Sequence, residues 1–412
     1  MKKIMRLCAV AAICFVGLTS LTYADAPLLT LPTPNAPAQP PQPILIPTPP
    51  TIDAKAYILM DANSGKIITQ KEMDTRLPPA SLTKLMTIYL TFQALQNGTI
   101  KLDTGVPVSE KAWRTGGSKM FIKVGTEVPV EQLLQGIAIQ SGNDACVAIS
   151  EFLAGSEDTF ANMMSTQAQL LGMVNTHYMD SNGLPNPNHY TTAHDLGLLA
   201  QAIVQNFPEY YHYFGEKWFE YNGIRQPNRN RLLWRFPGAD GLKTGHTDEA
   251  GFCLVASAVK GNMRLIAVIL GAPSDEMRAN EAVQLLTYGF RFYTTQSIYP
   301  AGTIVANPHI WYGSKTTIAA GIKHSLAVTV PQGVAQNIQL TVQLNQTLKA
   351  PIYKGQTIGT VIVKQNNDII ANQPLVAFET VEKGGWLRHL IDHFKRLFSS
   401  TQLPTITPIV KG

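Results

Sequence analysis

Apolar residues change their spacing once along this chain, and that change fixes what each part can fold into. Over residues 82–95, 128–153, 192–203 and 281–290 they recur with the roughly 3.6-residue period of a helix face. From 302 to 380 they come instead in short alternating runs, at 325–330, 338–344 and 359–363, separated by turn residues at Pro331-Gln332-Gly333 and Gln365-Asn366-Asn367-Asp368. A segment patterned for one period cannot bury its apolar face in the other element. Strand patterns also flank the helical region: 54–60 and 66–69 enclose the turn sequence Asp61-Ala62-Asn63-Ser64-Gly65, and 252–259 and 264–272 come late. An early hairpin and late strands feeding one sheet, with helices between them, predict an α/β (α+β) sandwich over 52–295. The alternating region predicts a smaller all-β sandwich over 296–382. A chain of 412 residues exceeds what one hydrophobic core usually organises, which agrees with two domains.

Both ends lie outside these cores. Lys2, Lys3 and Arg6 precede an apolar run over 7–21 and the small residues Thr22 and Ala24, the pattern of an export signal cleaved after Ala24. The run is shorter than the ~20 residues that span a bilayer. Residues 1–24 are expected to be a signal peptide, and the proline-rich 25–51 an extended linker without a packable face. Loss of the signal lowers the formal net charge from +5 to +2, which leaves no electrostatic footprint for nucleic acid. After Gly384-Gly385, one helical face would carry Trp386, Leu387, Leu390, Ile391, Phe394, Leu397 and Phe398. The other would carry Arg388, His389, Asp392, His393, Lys395 and Arg396. Residues 383–402 are therefore expected to form an amphipathic helix lying in the plane of a membrane, followed by a tail at 403–412. A helix packed on the β domain, or at a dimer contact, is the alternative.

Three short motifs carry chemistry: Ser81-Leu82-Thr83-Lys84, Ser141-Gly142-Asn143 and Lys243-Thr244-Gly245. A serine hydroxyl needs a base within hydrogen-bond reach to act as a nucleophile. In Ser-x-x-Lys at a helix start, the lysine three residues on shares a face with the serine, and the helix N-terminus favours negative charge developing there. Lys84 works as a base only when neutral, which requires burial or a second cation nearby, a part open to Lys243. On a strand edge, Lys243-Thr244-Gly245 would offer main-chain hydrogen bonds to an extended peptide. Gly245 would let that peptide approach closely, and Thr244 would bind a terminal carboxylate. Ser257-Ala258-Val259-Lys260 repeats the first pattern, but within a predicted strand where the lysine cannot fold back.

In this order, and extended to Ser141-Gly-Asn-Asp-Ala-Cys146 and Asp240-Gly-Leu-Lys-Thr-Gly-His-Thr247, the motifs resemble those of the low-molecular-mass penicillin-binding proteins. Within that family they resemble the serine D-alanyl-D-alanine carboxypeptidases, over residues 52–382 and the terminal helix. The resemblance implies a transpeptidase-like catalytic domain followed by a β-rich domain. It makes Ser81 the acylated nucleophile, Lys84 its general base and Ser141 a proton relay toward the leaving amine. Asn143 would hold the acyl-chain amide, Lys243 and Thr244 would bind substrate, and the backbone N–H groups of Ser81 and His246 would form an oxyanion hole. Arg229 and Arg278 match the family's further basic positions, and Asp195 is expected to brace a loop. The implied partners are peptidoglycan stem peptides, β-lactam inhibitors and the outer face of the cytoplasmic membrane, which places the mature chain in the periplasm. No metal or other cofactor is implied.

Three other readings compete. A D,D-endopeptidase would use the same apparatus on cross-links. A class A β-lactamase would need a Glu-x-x-x-Asn element between the second and third motifs, and none occurs between Asp144 and Lys243. A non-catalytic envelope scaffold would have lost Ser81, Lys84 or Lys243. His177, His189 and His194 lack metal-ligand spacing and read as solvated or capping residues. Cys146 and Cys253, the cysteines outside the signal, are expected as free thiols, with Cys146 a buried helix residue.

Overall fold

The computed structural model describes residues 46–333, 338–397 and 405–406; the expected signal peptide, most of the linker and most of the tail fall outside them. One antiparallel sheet organises the first domain, in the order Ile67–Lys71, Ala56–Asp61, Met263–Ala272, Gly251–Lys260, Ala239–Thr247. The early hairpin thus pairs with the late strands, as the sequence pattern implies. Successive side chains in a strand point to opposite faces, and here both faces are covered. Ile58, Met60, Val255, Ile266 and Val268 join the core of the helical layer, with Leu85, Ile88 and Phe92 of the helix Lys84–Gln96. Tyr57, Leu59, Leu254, Ala256 and Leu265 meet Ala282, Leu285 and Leu286 of the helix Asp275–Phe292 on the other side. This double coverage explains why 252–259 and 264–272 read as nearly continuous apolar runs.

The helical stretch at 128–153 is two helices, Val130–Gln140 and Asn143–Ala154. Ser141 takes the left-handed conformation (φ 63°) between them, which ends the first helix and re-aims the chain. A further helix, Glu157–Leu170, has a weak apolar stripe and escapes a reading by periodicity. Its start is marked by Ser156, whose side chain accepts a hydrogen bond from the Thr159 N–H.

The strand Tyr293–Tyr299 follows the helix Asp275–Phe292 without a linker and pairs with Leu326–Pro331, so the expected domain boundary after Thr295 falls inside a strand. The β domain adds a six-stranded sheet to this pair, and Val328, Val330, Val342, Val361, Val363 and Leu375 fill the space between. Asp61, fully buried at the end of its strand, accepts hydrogen bonds from the hydroxyls of Thr295 and Thr329 and so ties the two domains together.

The terminal helix Trp386–Leu397 meets the β domain through its polar side. Asp392 accepts from the Tyr312 N–H at 2.7 Å, His389 stacks on the Tyr312 ring, and Arg396 donates to the Tyr312 hydroxyl. Trp386, Leu387, Leu390, Ile391 and Phe394 are left 44–79% exposed. The side chain of Leu397, and Phe398 entirely, lie outside the described residues.

Candidate active site

The first motif begins in a 3₁₀ turn, Ala80–Thr83, that runs directly into the helix Lys84–Gln96. Ser81 therefore sits one tight turn ahead of the α-helix, and Lys84 is the first α-helical residue. The Lys84 ammonium lies 2.8 Å from the Ser81 Oγ and also donates to the backbone carbonyl of Asn182. Lys84 is wholly buried, and that desolvation brings its pKa from 10.5 down to about 8, against the opposing fields of Cys146, Asp180 and Asp144. Arg229 is a nearby cation that assists the lowering. Lys243 is itself buried and held well below the ordinary lysine range, first by desolvation and then by the charge of Lys84.

Ser141 sits at the break between two helices. Its Oγ is buried and, among the described residues, has no hydrogen-bond partner, an unusual state for a hydroxyl. Asn143 is fixed by the loop opposite: its N–H donates to the Ser118 carbonyl and its Nδ2 to the Gly116 carbonyl, both at 2.7 Å. Asp144 holds that loop, accepting from the N–H groups of Met120, Phe121 and Ile122.

The third motif lies on Ala239–Thr247, which has a strand partner on one side only and so forms an edge of the sheet. A Cβ at Gly245 would stand 3.1 Å from the Ser81 N and 3.1 Å from the Pro79 carbonyl oxygen. The glycine therefore lets the strand press against the nucleophile turn. This close approach sets the Ser81 N–H beside the strand that carries His246. Thr244 is buried, whereas His246 is exposed, with its ring against Phe252.

The two further arginines differ. Arg229 stands exposed between Asn228 and Asn230, which are both buried and hydrogen-bonded to backbone. It donates to the Gln140 Oε1 across a long 3.5 Å, and among the described residues it forms no ion pair. Arg278 is already engaged: it donates to the Gly245 and Cys253 carbonyls and pairs with Asp275, bracing the strand end. Arg229 thus has no carboxylate partner among the described residues, whereas Arg278 is engaged at the strand end.

Outside the motifs, sequence reading missed Asn182 as the carbonyl partner of Lys84, and it gave His189 a solvated or capping role. His189 is 3% exposed and its Nε2 lies 2.9 Å from the Thr83 hydroxyl. The Asp180-Ser-Asn-Gly183 turn chemistry was the available signal, because Asp180 accepts from the N–H groups of Asn182 and Gly183. Asp195 braces the neighbouring segment, accepting from the Asn175 N–H and the Thr176 hydroxyl. Cys146 and Cys253 are both free and buried, and burial pushes the Cys146 thiol up to about 12. The decoy Ser257 to Lys260 lies within the strand Gly251–Lys260, as its alternation suggested. Among the described residues no group of His, Cys, Asp and Glu side chains could hold a metal ion.

Residues 44–274 match the family model described as D-alanyl-D-alanine carboxypeptidase, and 293–383 match that of the penicillin-binding protein 5 C-terminal domain. The chain is 44% identical over 352 residues to the D-alanyl-D-alanine carboxypeptidase DacC of Escherichia coli, covering 83% of this chain and 88% of that one. Its fold is similar to penicillin-binding protein 5 from Haemophilus influenzae, with a TM-score of 0.74 and 39% identity over 82% of this chain and 99% of the other. It is also similar to penicillin-binding protein D2 from Listeria monocytogenes in its ampicillin-bound form, with a TM-score of 0.54 and 29% identity over 58% and 98% of the two chains.

Proposed function

The chain belongs to the D-alanyl-D-alanine carboxypeptidase family, and from that premise we propose that Ser81, Lys84 and Ser141 are the groups through which it acts. It is a serine-type carboxypeptidase that removes the terminal D-alanine of peptidoglycan stem peptides. The observation that carries the residue assignment is the buried lysine, held near neutral pKa and hydrogen-bonded to a serine at the start of its own helix.

Neutral Lys84 takes the proton of Ser81 as the Oγ attacks the carbonyl carbon of the penultimate D-alanine. The negative charge that develops on the carbonyl oxygen is met by the N–H groups of Ser81 and His246. Arg229 and Thr244 hold the terminal carboxylate. Lys243 binds substrate beside Thr244, and Asn143 positions the acyl chain. The proton held by Lys84 passes through the Ser141 hydroxyl to the departing nitrogen, and D-alanine leaves as the amine. Water then attacks the Ser81 ester as the same lysine takes its proton, and that proton returns to the Ser81 Oγ as the ester C–O bond breaks, so the shortened peptide is released and both groups are restored.

A β-lactam presents a comparable carbonyl and carboxylate and acylates Ser81 in the same way, a reading supported by the ampicillin-bound relative. Mass spectrometry after exposure to benzylpenicillin is expected to show one adduct, carried by the peptide containing Ser81. Ser81→Ala should carry none, and an adduct persisting in that variant would remove Ser81 from the role.

We also propose that the mature chain works outside the cytoplasm, docked on the outer face of the cytoplasmic membrane by its terminal helix. The exposed apolar stripe of a helix seated by its polar side supports this reading. No helix among the described residues is long and apolar enough to cross a membrane, so the contact would be peripheral. Leu390→Asp/Phe394→Asp is expected to abolish co-sedimentation with anionic phospholipid vesicles while leaving penicillin acylation unchanged. Undiminished co-sedimentation would exclude the helix as the anchor.

A further inference from the structure

Beneath the nucleophile turn lies a buried polar chain that the acyl-transfer steps above do not use. The loop 176–192 presses on that turn: a Cβ at Gly183 would fall 1.8 Å from the Ala80 carbonyl oxygen and 2.8 Å from the Thr83 Oγ1. The same loop supplies the Asn182 carbonyl that receives the Lys84 ammonium. Asp180 shapes this corner by accepting from the N–H groups of Asn182 and Gly183 at 3.0 and 2.6 Å. The His189 imidazole lies between this carboxylate and Thr83, with Nδ1 at 3.7 Å from Asp180 and Nε2 at 2.9 Å from the Thr83 hydroxyl.

We propose that Asp180 and His189 are positioning residues for the acylation step, together fixing where Lys84 points and how readily it gives up its proton. The proposal rests on Lys84 being the base for Ser81. Two physical effects carry it. The first is charge: the Asp180 carboxylate stabilises the protonated lysine and so opposes the desolvation that makes Lys84 a base. The second is aim, because the Asn182 carbonyl is placed by two hydrogen bonds to Asp180 and fixes the lysine head beside Ser81.

His189 links Asp180 to the nucleophile turn. With hydrogen on Nε2 it donates to Thr83, and Nδ1 accepts the Met179 N–H at 3.4 Å. The groups that face the imidazole are Asp180 and Tyr178 from its own loop, Tyr178 meeting it edge-on at 5.6 Å. Across the turn stands Lys84, which shares the field of Asp180.

The test is the pH profile of acylation by a fluorescent penicillin, measured on the mature full-length enzyme and on Asp180→Asn and His189→Gln. Both amides keep a hydrogen-bonding oxygen in place, and circular dichroism melting confirms folding before the rates are read. Removing the Asp180 charge is expected to move the lysine limb of the profile to lower pH, raising the rate relative to its own plateau by about threefold or more below the limb. His189→Gln, which loses the ring contact that steadies Asp180 against Thr83, should also displace the limb, by less than Asp180→Asn. A merely structural role changes the plateau and leaves the limb where it is. Profiles that superpose after scaling to a common plateau would overturn the proposal. Failure of the unaltered enzyme to acylate at all would instead overturn the assignment of Ser81 and Lys84.

Discussion

Replacing Lys84 with methionine is expected to lower the rate of acylation, by D-alanyl-D-alanine peptides and by penicillin alike, about a thousandfold, within the range a positioned general base supplies. Methionine keeps the length and apolar volume of the lysine stem, so the helix Lys84–Gln96 retains its packing while the Ser81 Oγ loses its proton acceptor. The pH dependence should change with it. In the unaltered enzyme the base is neutral only above about pH 8, so the rate climbs close to tenfold per pH unit below that value and then levels. The Lys84→Met rate should be flat across the same range.

Stability supplies a second readout of opposite sign. A lysine whose pKa falls from 10.5 to about 8 on folding binds fewer protons in the folded than in the unfolded chain between those values. Stability therefore rises with pH through that window, and below about pH 8 the full penalty of about 3 kcal/mol is present. Methionine removes this penalty but leaves the Asn182 carbonyl without its partner, a loss of about 1–3 kcal/mol. Urea unfolding at pH 7 is thus expected to show the inactive variant at least as stable as its parent. A stability loss beyond about 2 kcal/mol, or an acylation rate reduced only a few-fold, would contradict a desolvated lysine acting as base.

The motifs were legible because each is local. Ser81 and Lys84 are three apart on one turn, and Lys243, Thr244 and Gly245 are consecutive on one strand, so short-range geometry already places them together. The fold was legible where the apolar period was strong, as in the late strands and the β domain. It failed at Ser141, where the apolar pattern runs through a helix break. Only the left-handed backbone at Ser141 reveals the break. The loop 176–192 was least legible. His189 has no periodic context, and its burial follows from the loop folding back under a turn about a hundred residues earlier in the chain, a placement that no window along the sequence can show. Gly245 was recognised as a point of close approach, and the turn that carries Ser81 is one of the groups it lets near.

Gly183→Ala should be among the most damaging single-methyl additions in the protein. The residue has φ +86°, a region that costs a side chain about 1 kcal/mol or more, and its Cβ would lie 1.8 Å from the Ala80 carbonyl oxygen, 2.5 Å from the carbonyl carbon and 2.8 Å from the Thr83 Oγ1. Those neighbours belong to the backbone and packed side chains of the turn that carries Ser81, so they cannot rotate away as a flexible side chain would. Gly98 provides the control: its φ is +72°, and nothing lies within 4 Å of a Cβ there. Gly98→Ala therefore reports backbone strain alone, about 1 kcal/mol, whereas Gly183→Ala adds the overlap and is expected to lose about 4 kcal/mol in urea unfolding. If the loop yields instead of the fold, the Asn182 carbonyl moves with Gly183 and Lys84 loses its aim, so acylation should fall at least tenfold in whatever folded protein remains. Equal stability and equal acylation in the two alanine variants would mean that the loop does not press on the nucleophile turn. The positioning of Lys84 by Asn182 would then fail with it.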